Sequence, residues 1–210
     1  GLGQRFFPRG SNRLANFVNR MVFRLSGAVI CNDSKIKQCI AEYGVPDERV
    51  FPIQAFSRQY VEFQRVTLQA DLKHFLVEHE PRIFCYAFFR PEFHLPVLVE
   101  AVAKLVRCHP RFGLVLVGFT DKCGGFSEGS DAVRGQIREL GLDAHIFFAG
   151  DLDHDTFMTL LSQCDLCIRT PSRDGVSSSV LEALALGVPV VASRATAVAD
   201  RVGTVREADR

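Results

Sequence analysis

DLCIRTPSRDGVSSSVLEALALGVPVVAS, Asp165 to Ser193, carries the clearest structural pattern in the chain. DLCIRTP is a short apolar run closed by Pro171 and predicts a buried strand, whereas SSVLEALALG has the length and composition of a helix ended by Gly187. The strand therefore points at a helix start, and VPVVAS supplies the next strand. Gly175 lets the backbone approach a ligand closely, Ser177, Ser178 and Ser179 offer capping hydroxyls, and the first-turn N–H groups carry the positive end of the helix dipole. Phosphate is the natural guest of such a turn. Glu182 falls roughly one and a half turns into the helix, where its carboxylate can accept hydrogen bonds from sugar hydroxyls beside the phosphate. Asp174, before the turn, can do the same from the other side. The same connection also occurs in parallel α/β domains without a ligand, and an acid near a helix start is often only a partner of the dipole.

Outward from this stretch, strands and helices alternate. Residues 11–25 predict a helix, Ala28 to Asn32 a strand, Ser34 to Tyr43 a helix, and VFPIQAF a crossing into a second domain. ADLKHFLVEHEP predicts a short helix, followed by strand IFCYAF, helix LPVLVEAVAKLVRC and strand GLVLVG. After a glycine-rich loop, Asp121 to Ser130, come a helix, strand HIFFAG, helix DTFMTLLSQC, and then the opening stretch. Such alternation predicts a parallel sheet flanked by helices, Rossmann-like, with right-handed crossovers. Ligands bind such sheets outside the carboxyl ends of the strands, where Gly118, Gly150 and the Gly/Ser turn all fall.

The run of an acid, seven residues, then Glu-Ala-Leu-Ala-x-Gly-x-Pro-Val-Val-Ala resembles the E-x7-E signature of retaining GT-B glycosyltransferases, specifically glycosyltransferase family 4. GAVICNDSKIKQCIAEYGVPDERVFPI (Gly27 to Ile53) is similar to the end of that family's acceptor domain, and FGLVLVG (Phe112 to Gly118) to a donor-domain strand. Ile137 to Ser172 follows the family's next strand, helix and strand. The resemblance implies half of a GT-B fold, truncated at both ends, with residues 1–56 an acceptor-domain remnant and linker and 57–210 the donor domain, its C-terminal end missing. It also implies that Glu182 binds the nucleotide ribose, that Asp174 contacts the donor sugar, and that the amides of Gly175, Val176, Ser177, Ser178 and Ser179 face the sugar and diphosphate. The nucleobase would lie near the loop after HIFFAG. Donor recognition of the UDP or GDP type follows, with no cofactor, no metal and no protein nucleophile, and with a glycan or lipid-linked acceptor in polysaccharide biosynthesis.

The chain departs from the family in two ways. Asp174 is one methylene shorter than the usual Glu, and the Gly-Arg and Lys-Gly that neutralise the departing diphosphate are replaced by Ala87 and Phe88, then Phe93 and His94. Losing one such contact costs about 3 to 4 kcal/mol of transition-state stabilisation. Arg90, Arg169 and Arg173 are the candidate substitutes, because a guanidinium can grip phosphate bidentately. The alternative is a degenerate domain that binds or scaffolds without transferring sugar.

Bulk properties mostly exclude. At 47% hydrophobic and 23% charged residues the 210-residue chain supports a core, and its net charge of +1 argues against nucleic acid as a partner. The chain carries no apolar run of membrane-spanning length, and cytoplasmic residence is expected, at the inner face of the membrane if the acceptor is lipid-linked. Arg5 to Gly27 places five arginines among apolar residues with no acid. That pattern suits packing on the acceptor domain or peripheral contact with an anionic membrane. Seven scattered cysteines indicate reduced thiols, and Cys164 and Cys167, although spaced C-x-x-C, read as buried thiols rather than a metal or redox pair. Asp151, Asp153 and Asp155 around His154 read as helix capping.

Overall fold

A computed structural model describes residues 13–32, 34–53, 56–118, 127–172, 174 and 176–193. The chain divides into two compact units, Gly1–Phe56 and Ser57–Arg210. In the first, helix α1 (Arg13–Leu25) precedes strand β1 (Val29–Cys31), helix α2 (Ser34–Ala41) and strand β2 (Val50–Pro52). β1 and β2 pair in parallel, Val29 opposite Val50. VFPIQAF therefore begins as a strand and is not wholly a crossing segment. Cys31, Ile40, Val45 and Val50 form a small core. The apolar residues of α1 stay largely exposed within this unit, Leu14 at 71% and Leu25 at 78%.

The second unit contains helix α3 (Ala70–Glu78), strand β3 (Arg82–Tyr86), helix α4 (Leu95–Cys108), strand β4 (Gly113–Val117), helix α5 (Ser127–Glu139) and strand β5 (Ile146–Gly150). Helix α6 (His154–Leu161), strand β6 (Leu166–Arg169), helix α7 (Ser178–Ala185) and strand β7 (Val190–Ala192) complete it. All five strands are parallel in the order β5-β4-β3-β6-β7. A sheet covered on both faces needs strands apolar on both sides, and GLVLV in β4 is buried throughout. Alternate residues serve opposite layers. Ile83, Cys85, Leu114 and Leu116 pack with Leu98, Val99 and Val102 of α4 and Ile137 of α5. Phe84, Val115 and Val117 pack with Phe75 of α3, Leu160 and Leu161 of α6 and Ala183 of α7. The result is a Rossmann-like α/β sheet flanked by helices.

Strand order reverses between β3 and β6, because the chain moves outward through β4 and β5 and then returns to the other side of β3. A crevice opens at such a switch point, beyond the carboxyl ends of the strands. The glycine-rich segment is shorter than its composition suggests, since α5 already begins at Ser127. Gly187 ends α7 in the left-handed region (φ +75°), with Val188 N–H donating to Ala183 O and Gly187 N–H to Leu184 O, a Schellman closure. Among the described residues no helix is long and apolar enough to cross a membrane.

Candidate functional site

The carboxyl ends of β3, β4 and β6 converge on the switch point, and the two signature acids lie there. Arg169, the last residue of β6, is 8% exposed and donates from Nε to Asp174 Oδ2 (2.9 Å) and from Nη2 to Asp174 Oδ1 (3.3 Å). Its Nη1 donates to the carbonyl of Tyr86 at the end of β3 (2.7 Å). The guanidinium carbon also lies 5.2 Å from the Phe93 ring centre and 5.9 Å from that of Tyr86. A buried arginine requires such partners, because leaving its charge unpaired in low dielectric is prohibitive. Arg169 is therefore engaged by Asp174 instead of being held for a phosphate. The signal available in the sequence was an arginine inside a buried strand, which demands a nearby acid.

Glu182 sits on the inward face of α7, 6% exposed. No side-chain hydrogen bond reaches its carboxylate among the described residues. Burial raises its pKa above the ordinary carboxylate value, with the nearby His154 opposing part of that shift.

Ser177 occupies the N-cap of α7, but its hydroxyl makes no cap bond. Instead Ser177 Oγ and Ser179 Oγ bond each other at 2.9 Å, both buried, while Ser178 is exposed. The capping role expected for Ser177 is thus replaced by a mutual bond, and its hydroxyl caps none of the first-turn amides of α7. Val176 is half-buried beside them. Arg173 and Gly175 lie outside the described residues.

Gly118 ends β4 at φ +85°, and a Cβ there would lie 2.7 Å from Tyr86 Cε2 and 3.1 Å from the Ala87 carbonyl. Glycine is required by both conformation and close approach. Arg90, on the loop after β3, lies with its guanidinium 5.5 Å from the Phe88 ring centre.

At the positions of the missing cations an aromatic cluster has formed. Phe88 meets Tyr86 edge-on at 5.3 Å and Phe93 at 5.6 Å, and Ala87 is fully buried. The Phe93 carbonyl accepts from Thr170 Oγ1 (2.6 Å) and the Glu92 carbonyl from Ser172 N–H (2.7 Å), tying the loop after β3 to the Gly/Ser turn. His94 adopts φ 49°, ψ 38° at the start of α4, the left-handed conformation that glycine takes without strain, and its side chain makes no cap bond. His94→Gly is expected to raise stability by about 1 kcal/mol in urea denaturation; an unchanged or lower midpoint would refute the strain at this turn.

Around β5 and α6 the acidic cluster is structural. Asp153 caps α6, accepting from Thr156 N–H (3.0 Å) and Thr156 Oγ1 (2.7 Å), and Asp155 Oδ1 accepts from Gln64 N–H (3.0 Å). Cys164 and Cys167 are buried, and burial pushes the Cys164 thiol up to about 12. Thiols so protonated are poor nucleophiles.

A doubly wound parallel sheet with two acids at its switch point places this unit in the Rossmann-like class. Residues 69–204, more than half of the chain, match the family described as Glycosyl transferases group 1, and the chain belongs to that family. No curated protein sequence matches it. Among solved structures, Anabaena Alr3699/HepE in complex with UDP is 20% identical with a TM-score of 0.71, covering 90% of this chain and 50% of that one. The same Anabaena protein is also known with UDP-glucose. A glycosyltransferase from Rickettsia africae ESF-5 is 16% identical with a TM-score of 0.72, over 94% and 52% of the two chains. Sucrose-phosphate synthase from Thermosynechococcus elongatus is 20% identical with a TM-score of 0.68, over 93% and 49%. The chain thus spans about half the length of these GT-B-like neighbours.

Proposed function

We propose that the Ser57–Arg210 unit is the donor half of a retaining, family 4 glycosyltransferase. It binds a nucleotide diphosphate sugar of the UDP or GDP type for transfer to a glycan or lipid-linked acceptor. The observation that carries this reading is the buried Glu182 at the switch point, its carboxylate without a side-chain hydrogen bond among the described residues and eight residues from Asp174, in a chain of the group 1 glycosyltransferase family. Vicinal ribose hydroxyls are donors suited to this carboxylate. The first-turn amides of α7, which the Ser177 hydroxyl does not cap, receive the diphosphate, and Asp174 receives hydroxyls of the donor sugar. UDP and UDP-glucose in the Anabaena neighbour agree with a nucleotide-sugar donor. In this reading a leaving-phosphate oxygen takes the acceptor proton, the chain binds and orients, and no metal takes part. Gly1–Phe56 belongs to the acceptor side, and the exposed apolar residues of α1 pack on the rest of that domain or lie against an anionic membrane at the cytoplasmic face.

A second reading, a donor-type domain that binds without transferring, is favoured by Phe88 and Phe93 packing into an aromatic cluster where diphosphate-neutralising cations are expected. Saturation-transfer NMR of the chain with UDP, GDP and ADP tests the shared core of both readings. Binding of one nucleotide, lost in Glu182→Ala, is the expected result; absence of binding by a folded sample would overturn it. Turnover by a protein with its full acceptor domain then separates transferase from binder.

A further inference from the structure

The geometry points to Arg169 as a positioning residue for donor-sugar recognition: it locks the Asp174 carboxylate in one orientation, so that the sugar meets an aligned ion pair and not a lone acid. The inference rests on the donor-site reading above. Arg169 contacts both Asp174 oxygens, at 2.9 and 3.3 Å, and its third bond, 2.7 Å to the Tyr86 carbonyl, ties the guanidinium to the neighbouring strand end. Phe93 and Tyr86 rings border the guanidinium, which further restricts its plane. Each oxygen of an ionised carboxylate accepts about two hydrogen bonds, so a carboxylate gripped side-on can still accept from sugar hydroxyls in a fixed direction.

Anchoring the turn does not by itself account for the pair. Thr170 Oγ1 and Ser172 N–H already fasten the same turn to Phe93 and Glu92 at 2.6 and 2.7 Å. A buried ion pair is, moreover, often no more stabilising than a well-packed apolar pair of the same volume. What the pair adds is the orientation of a carboxylate. That orientation also answers the shorter side chain at position 174, because Arg169 fixes where the carboxylate stands. Only a planar fork can do this; lysine keeps the charge but supplies a rotating point donor.

The test compares UDP with UDP-glucose, GDP with GDP-mannose and ADP with ADP-glucose, titrated against wild type, Arg169→Lys and Asp174→Asn, each checked for folding by circular dichroism. Wild type is expected to prefer one conjugate over its parent diphosphate. In Arg169→Lys, affinity for that conjugate falls at least tenfold while affinity for the parent falls less than threefold, and Asp174→Asn shows the same split. A collapsed turn would weaken both ligands together. In wild type, the Arg169 Nε–H resonance shifts with the conjugate and not with the parent. An undiminished sugar preference in Arg169→Lys, no preference in wild type for any conjugate, or parallel losses for both ligands overturn the inference, while nucleotide binding by wild type keeps the donor-site reading standing. Failure of every diphosphate to bind wild type overturns the donor-site reading itself. Should Arg169→Lys not fold, the Asp174→Asn split and the wild-type resonance decide the matter.

Discussion

Glu182→Gln is expected to bind the cognate nucleotide at least about tenfold more weakly than wild type while folding more stably at neutral pH. Hydrogen bonds to a charged acceptor contribute about 1.5 to 3 kcal/mol each, and the neutral amide forfeits that charge assistance. The stability gain has the opposite origin. Glu182 is buried and its pKa is raised by desolvation, so between its ordinary and raised values the native state binds more protons than the unfolded chain. Stability therefore falls as pH rises through that window, and above it the buried charge is a standing penalty. Glutamine removes the penalty, so the variant's advantage vanishes below the ordinary carboxylate range, where glutamate is neutral in both states. Nucleotide affinity of wild type should weaken on acidification at a higher pH than an ordinary carboxylate would give, because ribose hydroxyls need the ionised acceptor. Calorimetric titrations and thermal melts from pH 4 to 8 check both trends; a less stable Gln variant at pH 7 would contradict a burial penalty at this residue.

Arg169→Ala is expected to destabilise the Ser57–Arg210 unit by about 3 to 5 kcal/mol, a fall in Tm on the order of 10 °C. The loss comes less from the bond itself than from taking the guanidinium charge away from a carboxylate whose side chain is only 13% exposed. Replacing both partners with apolar residues, Arg169→Met with Asp174→Leu, should recover most of the loss, because no charge is then stranded. Urea denaturation of the two singles and the double variant gives the coupling energy directly. An Arg169→Ala penalty below about 1 kcal/mol would mean that the pair is effectively solvated.

Much of this architecture could be seen in the residues. The apolar runs LVLV and IFCY could only be strands covered on both faces, and Gly187 marked the end of α7 through a conformation glycine adopts freely. Leu95–Cys108 forms a helix over the whole span its spacing predicts. β2 was hidden because three residues, one of them Pro52, carry no alternating pattern, and their pairing with β1 is a tertiary event. The start of α5 was masked by a Gly/Ser-rich composition that weakens helix propensity. At the site, the neighbourhood of the acids followed from their place on strand, turn and helix. The Arg169–Asp174 contact did not, because an i,i+5 pairing across a proline turn belongs to no regular period. The Ser177 hydroxyl was misleading for a related reason: Ser179, two residues on, competes for it inside the fold.

The most direct measurement of the central claim, that Glu182 receives the ribose of a bound nucleotide, compares the nucleoside diphosphate that binds with its 2′,3′-dideoxy analogue in wild type and Glu182→Ala. Wild type should lose at least about tenfold in affinity when the ribose hydroxyls are removed, and the variant should show almost no difference between the two ligands. Equal affinity of wild type for both, or a dideoxy penalty that persists in Glu182→Ala, would place the ribose elsewhere and contradict the assignment.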